Sequence, residues 1–273
     1  MLSEHTFVVE KQCPVCGKRV KVVKVKSRLV STQIDSDYCC HYNDINPYLY
    51  HIWVCDGCGF AADEKVFLAT MPQAKREIIG NALMEKHIHF DFDVERSVPD
   101  GVASMKLAIF CAEVLKAPLA RQAGLALRLA WIYRLDGQEE EERLAEEQAL
   151  ELYVRSLETE HYPVGNLTDT TAMYLVGALF ARLGNYKQSV MYLSRVIDDG
   201  ESTAGNSKIV KDARKLWQDV RELNQADEAA KKKNPAPKKA AAALAKPAEK
   251  KAAPKAKKAA PKAKKKSGLR RWF

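Results

Sequence analysis

Four cysteines stand as two close pairs, Cys13-Pro14-Val15-Cys16-Gly17 and Cys55-Asp56-Gly57-Cys58-Gly59. Each pair reads as a tight turn whose two thiolates converge, followed by a glycine that can take positive φ. Backbone amides in such a knuckle point at the sulfurs and stabilise their charge, so two knuckles brought together form a tetrahedral four-sulfur site suited to zinc. Iron is the chemical rival, because cysteine knuckles ending in glycine also build rubredoxin-type electron-transfer sites and sulfur ligands alone do not separate the two metals. Two unrelated pairs that never meet is the bland alternative. With thiolates at Cys13, Cys16, Cys55 and Cys58 no ligand slot is left for water, so the expected metal stabilises a fold and activates no nucleophile.

Cys39-Cys40-His41 lies between the knuckles and offers an extra ligand, an exchangeable thiol or plain packing. A reactive thiol at Cys39 or Cys40 would make the chain a redox protein. Cys111, beside Phe110 and Ala112, reads as a small core residue. From His87 to Glu95 the residues alternate, so an extended strand would gather its ionisable side chains on one face, either to bind a cation or as the wet side of an edge strand burying Ile88, Phe90, Phe92 and Val94. A phosphate-cradling glycine loop, a nucleophile elbow and a His-Glu metal helix are absent from the sequence, and no catalytic residue is assigned.

The elements expected to position these groups are α+β in class and mainly α. Residues 1–70 read as a small zinc-ribbon-like β domain, with weak alternation over Lys21 to Val25 and an aromatic, β-branched run over Tyr48 to Val54. Residues 71–103 read as a connecting helix and strand: Pro72 opens a helix through Ile78, Ile79, Leu83 and Met84, and Pro99-Asp100-Gly101 is expected to close the segment as a turn. Residues 104–228 carry apolar spacings of three and four, broken at Pro118, Gly137, Pro163 to Gly165, Gly184-Asn185 and Gly200 to Gly205, which predicts six helices in antiparallel pairs. The run from Met173 to Val196 looks like a tetratricopeptide repeat, with Gly177 and Ser189 where two helices cross, Phe180 and Leu193 between them, and Gly184-Asn185 at the turn. A stretched second copy starts at Leu129 and resumes at Ala149 after an acidic insertion, Glu139 to Glu147.

Charge divides the 273 residues, whose net charge is +9. Residues 229–273 hold fifteen Lys and two Arg against Glu249 alone, a charge of +16, while the other 27 basic and 34 acidic residues leave the body at −7. The tail's recurrent prolines predict disorder, and its charge suits a polyanion, either DNA or RNA bound through counterion release or anionic lipid. Its end, Leu269-Arg270-Arg271-Trp272-Phe273, joins aromatics to arginines. No stretch nears the roughly 18 apolar residues of a membrane span, and Met1 to His5 lacks a basic segment before an apolar run, so the cytoplasm is the expected location.

The order of motifs resembles the bacterial family catalogued as domain of unknown function 2225: Cys13-Pro14-x-Cys16-Gly17, Asp35-Ser36-Asp37-Tyr38-Cys39, Asn46-Pro47-x-x-Tyr50, Val54-Cys55-x-x-Cys58-Gly59-Phe60-Ala61 and Leu129-Ala130-Trp131-Ile132-Tyr133-Arg134. The resemblance implies a cytoplasmic bacterial protein with metal-binding cysteines and repeat-like helices, and it supplies no catalytic residues. It covers about residues 7 to 220, leaves the basic tail outside, and raises interest in Cys39 over Cys40. Together these readings point to a zinc-stabilised adaptor with a protein partner on its helical face and nucleic acid held by the tail.

Overall fold

The computed structural model describes residues 4–85, 95–202 and 208–233. Valines at Val20 and Val22 alternate with Lys21 and are buried, which places one face of a hairpin on the core: β1 (Thr6–Gln12) pairs antiparallel with β2 (Arg19–Val25), Gln12 opposite Arg19. A second hairpin joins β3 (Ser31–Ile34) to β4 (Cys40–Tyr42), and a third joins β5 (Ile52–Val54) to β6 (Ala61–Asp63), Val54 opposite Ala61. Between β4 and β5 the aromatic run expected as strand from Tyr48 is shortened, because Asn46 caps a 3-10 turn over Pro47–Tyr50. The Asn46 side chain accepts from the Tyr48 amide at 3.0 Å, and Pro47 supplies the fixed φ of a first turn.

After the short α1 (Glu64–Phe67), capped by Asp63, α2 (Gln73–Met84) follows Pro72 as its spacing predicts. Pro99-Asp100-Gly101 forms the first turn of α3 (Val98–Val114), not a closing turn. Ser97 and Asp100 form a reciprocal capping box, with the Ser97 amide donating to Asp100 Oδ2 at 2.9 Å, and Pro99 sits where its missing N–H is not needed. Gly101 lies against Leu49; a Cβ there would collide with the Leu49 side chain and stand 3.1 Å from its Cα. The alternating His87 to Glu95 run lies, but for Glu95, outside the described residues.

Helices then pair as hairpins: α4 (Leu119–Leu135) with α5 (Glu139–Thr159), and α6 (Asp169–Arg182) with α7 (Tyr186–Ser202). The stretch Glu139 to Glu147 is no insertion; α5 runs through it unbroken, four glutamates in its first turn facing the positive end of the helix dipole. Gly137 and Gly184 take positive φ, +74° and +77°, at the two hairpin turns. At the α6–α7 crossing the Ser189 hydroxyl donates to the Gly177 carbonyl at 2.7 Å, and a Cβ on Gly177 would lie 2.8 Å from Leu193 Cγ. A last helix, α8 (Lys208–Lys233), extends past the residue at which the tail was expected to begin; residues 234–273, with the rest of the tail, lie outside the described residues.

Two apolar cores result. One gathers Val20, Val22, Trp53, Phe60, Phe67, Ile79, Met105, Leu129 and Ile132, with the β5–β6 hairpin resting on α3 and β2 packed against β5 and the 3-10 turn. The other lies among α4 to α8, with Leu127, Trp131, Tyr153, Leu179, Leu193 and Ala213, and takes in Cys39 from the second strand hairpin. Since α4 alternates its buried face between them, it belongs to both.

Candidate metal centre

Both knuckles are the tips of strand hairpins and share one backbone pattern. In the β1–β2 tip the Cys13 amide donates to the Lys18 carbonyl at 2.9 Å and the Gly17 amide to the Cys13 carbonyl at 3.0 Å. In the β5–β6 tip the Cys55 amide donates to Phe60 at 2.9 Å and the Gly59 amide to Cys55 at 2.8 Å. Each turn needs a residue in the left-handed region, met by Gly17 at φ +76° and Gly59 at +75°. Lys18 binds Asp56 at 2.8 Å across the two tips, an exposed pair that adds orientation and little energy.

The tips meet. Cys13 Sγ lies 3.7 Å from Cys58 Sγ and Cys16 Sγ lies 3.6 Å from Cys55 Sγ, and the four sulfurs all stand within 4.8 Å of one another. Four sulfurs bound tetrahedrally at about 2.3 Å from one ion would be spaced by about 3.8 Å, so the donor set fits a metal of zinc or iron size. Cys13 and Cys55 are buried, Cys58 is half-buried and Cys16 is exposed, which seats the cluster at the surface edge of the first core. The Val15 amide points at Cys13 Sγ from 3.4 Å, as a thiolate-stabilising knuckle requires.

Crowding sets the charge of the group. Hydrogen bonds from Cys13 and Cys58 hold the Cys55 thiol far below its ordinary range, at about 2, while the bond to Cys55 pushes Cys13 up to about 12 and bonds to Cys13 and Cys55 push Cys58 up further. The crowding of the sulfurs therefore favours the thiolate at Cys55 and the protonated thiol at Cys13 and Cys58. A divalent cation held by Cys13, Cys16, Cys55 and Cys58 would require their thiolate forms, so its binding would weaken as pH falls.

Cys39, Cys40 and His41 are not part of the four-sulfur group. Cys39 is fully buried, with its thiol pushed up to about 12 by burial, and the Cys40 thiol is directed at the Tyr38 carbonyl, 3.7 Å away. Cys111 is a buried core residue, its thiol also pushed up to about 12 by burial. Asp35, Cys39 and His41 do form a second cluster of ligand-type atoms within 4.8 Å. Its carboxylate is already engaged: Asp35 Oδ2 lies 2.9 Å from His41 Nε2 and accepts from Arg134 at 2.7 Å, and Oδ1 accepts from Gln33 at 2.8 Å.

That carboxylate opens onto a feature the sequence reading did not find. Arg134 donates to Asp35, to both oxygens of Asp37 at 2.9 and 2.7 Å, to Glu142 at 2.7 Å and to Glu146 at 2.9 Å, with Arg182 also bonded to Glu142 and Glu146. Trp131 Nε1 donates to Asp37 at 2.9 Å. Burial works to raise the Asp37 carboxyl, but the Arg134 guanidinium overrides it and holds the group below the usual carboxylate range; Glu146 is pushed up by burial against the pull of Arg182. Tyr38, at φ +67°, closes the loop and donates to Asp212 on α8 at 2.9 Å, while Tyr174 donates to the Ser36 carbonyl at 2.6 Å. The clamp thus fastens the Asp35 to Cys39 loop to α4, α5, α6 and α8. Its sequence signal was the presence of both partners, Asp35-x-Asp37 and Arg134, among the motifs, although nothing in the spacing pairs them.

Among the described residues no helix is long and apolar enough to cross a membrane. A protein of Borreliella burgdorferi described only as uncharacterized is 33% identical over 147 residues, a match spanning 46% of this chain and about half, 52%, of the relative. No solved structure matches. A family model described as "uncharacterized protein conserved in bacteria (DUF2225)" matches residues 7–220, which holds both knuckles and the Arg134 clamp, and the chain belongs to that family.

Proposed function

We propose that the four sulfurs of Cys13, Cys16, Cys55 and Cys58 hold one zinc ion as a structural clamp, and that the chain is a cytoplasmic binding protein without catalytic chemistry of its own at this site. The observation that carries the reading is the meeting of two equivalent hairpin tips, sulfurs 3.6 to 3.7 Å apart across them. A site closed by four thiolates stabilises structure and offers no open position for substrate. The helices serve as the interaction face: the α6–α7 hairpin, with Gly177 under Leu193, supports a tetratricopeptide-like reading and hence a protein partner. The basic tail holds the protein near DNA or RNA, supported by its charge of +16 from residues 229–273.

Metal analysis of freshly purified protein tests the clamp. One equivalent of zinc in a colourless protein is expected, with loss of metal and a lower Tm in Cys55→Ser; a red, iron-loaded protein supports the rubredoxin-like redox alternative, and no bound metal refutes both. For the tail, deleting residues 229–273 is expected to abolish retention on DNA or RNA at low salt while leaving Tm unchanged, and unaltered retention removes the nucleic-acid assignment.

A further inference from the structure

A cleft of about 420 Å³ opens between β6, the residue following the 3-10 turn, and the faces of α4 and α5, away from the sulfurs and from the Arg134 clamp. Its charged lining comes from Asp63, Glu64, Lys65, Arg121 and Arg128, with His51, Tyr153 and Asn166 beside them. Arg121 and Arg128 are two helical turns apart on α4 and so share one face. Between them Gly124 leaves the floor bare: a Cβ there would sit 3.2 Å from an Arg128 terminal nitrogen and 3.6 Å from the Tyr153 hydroxyl.

What the groups lack is informative. Tyr153 is only 3% exposed, and its hydroxyl, which reaches the cleft, has no protein hydrogen-bond partner among the described residues, so it is left to solvent or to a ligand. Arg121 is neutralised by Asp63. Arg128 has no carboxylate partner among the described residues; it donates to the Gly124 carbonyl at 2.8 Å and lies over the Trp131 ring at 5.9 Å. Beside it the His51 imidazole is kept neutral by burial and by the Arg128 charge, so it retains one N–H. The cleft therefore presents several donors, an Arg128 charge with no carboxylate partner among the described residues, and two carboxylates that are already paired, Asp63 with Arg121 and Glu64 with Lys24.

We infer that this cleft is a binding site for the oxyanion group of a small molecule, a phosphate or a carboxylate, with Arg128 supplying the charge and Tyr153 the orienting hydrogen bond. An oxyanion accepts from both at once, whereas a cation or an apolar ligand leaves the Tyr153 hydroxyl and the Arg128 charge without a protein-bound partner. The inference is independent of the metal, since none of its residues touches the sulfurs.

The full-length protein, labelled at histidine, is titrated with inorganic phosphate and separately with succinate at constant ionic strength, following the His51 ring resonances, assigned with His51→Gln. A local probe is needed because the lysine-rich tail also attracts phosphate. A saturable His51 response is expected, with phosphate alone, or succinate alone, fixing the class. Arg128→Gln should weaken it about tenfold or more, and Tyr153→Phe severalfold with an unchanged Tm, because the hydroxyl supports nothing in the free protein. Absence of a saturable response to both ions overturns the inference, as does equal affinity in the folded Tyr153→Phe and Arg128→Gln proteins.

Discussion

Among the described residues, Arg134 is the side chain on which the largest number of charged groups converge: a 10% exposed guanidinium bonded to four carboxylates drawn from the Asp35 to Cys39 loop and from α5. Removing it leaves Asp37, fully buried, without its counter-charge, and uncompensated buried charges are destabilising by about 3 to 5 kcal/mol. Arg134→Met is expected to lower unfolding stability by that order in denaturant titrations, and the double variant with Asp37→Asn to recover part of it; equal losses in single and double variants would show that the pair is not coupled. This residue also marks the limit of reading the chain unaided. Cys13 and Cys58 could be matched in advance because each sits in a repeated turn with a glycine behind it, whereas Asp35 and Arg134 are 99 residues apart and ordinary in type. Charge pairing across such a distance is decided by tertiary packing, which local spacing does not encode.

At the level of elements, the helix pattern was legible where apolar periodicity and turn glycines agree, as at Gly184-Asn185, and failed where composition misleads. A Pro-Asp-Gly sequence reads as a turn, but Ser97 three residues before Asp100 converts it into a helix start. A glutamate run reads as an interruption, yet at the first turn of α5 the same charges favour the helix. The α6–α7 crossing offers a direct test of the hairpin. Gly177→Val forces two methyl groups into the space of Leu193 and should reduce stability by about 1 to 3 kcal/mol, read from chemical unfolding. The companion Gly177→Val with Leu193→Ala is expected to recover part of that loss. Equal stability in Gly177→Val and the parent protein would contradict the close approach.

For the molecule as a whole, acid stability follows from His51. Burial and Arg128 lower its imidazole from 6.5 to about 4, with Asp63 as the opposing charge, and Glu64, Lys65, Arg121 and Tyr153 line the same cleft. A depressed histidine contributes its full stability above the unfolded value, and that contribution declines as pH falls from about 6.5 to about 4, by roughly 3 kcal/mol in total. Asp35 and Asp37, held below the carboxylate range, keep their contribution through this window and lose it only in stronger acid. A falling Tm between pH 7 and pH 4, flattened in His51→Gln, is the expected result; an identical slope in the variant would assign the effect elsewhere.

The two hairpin tips also impose an order on synthesis. The first tip leaves the ribosome with half a coordination shell, Cys13 and Cys16, and must wait until Cys58 has emerged, 45 residues after Cys13, before an ion can be enclosed. A metal captured earlier would be held by two sulfurs only, so the complete four-sulfur donor set exists only after the second tip has formed.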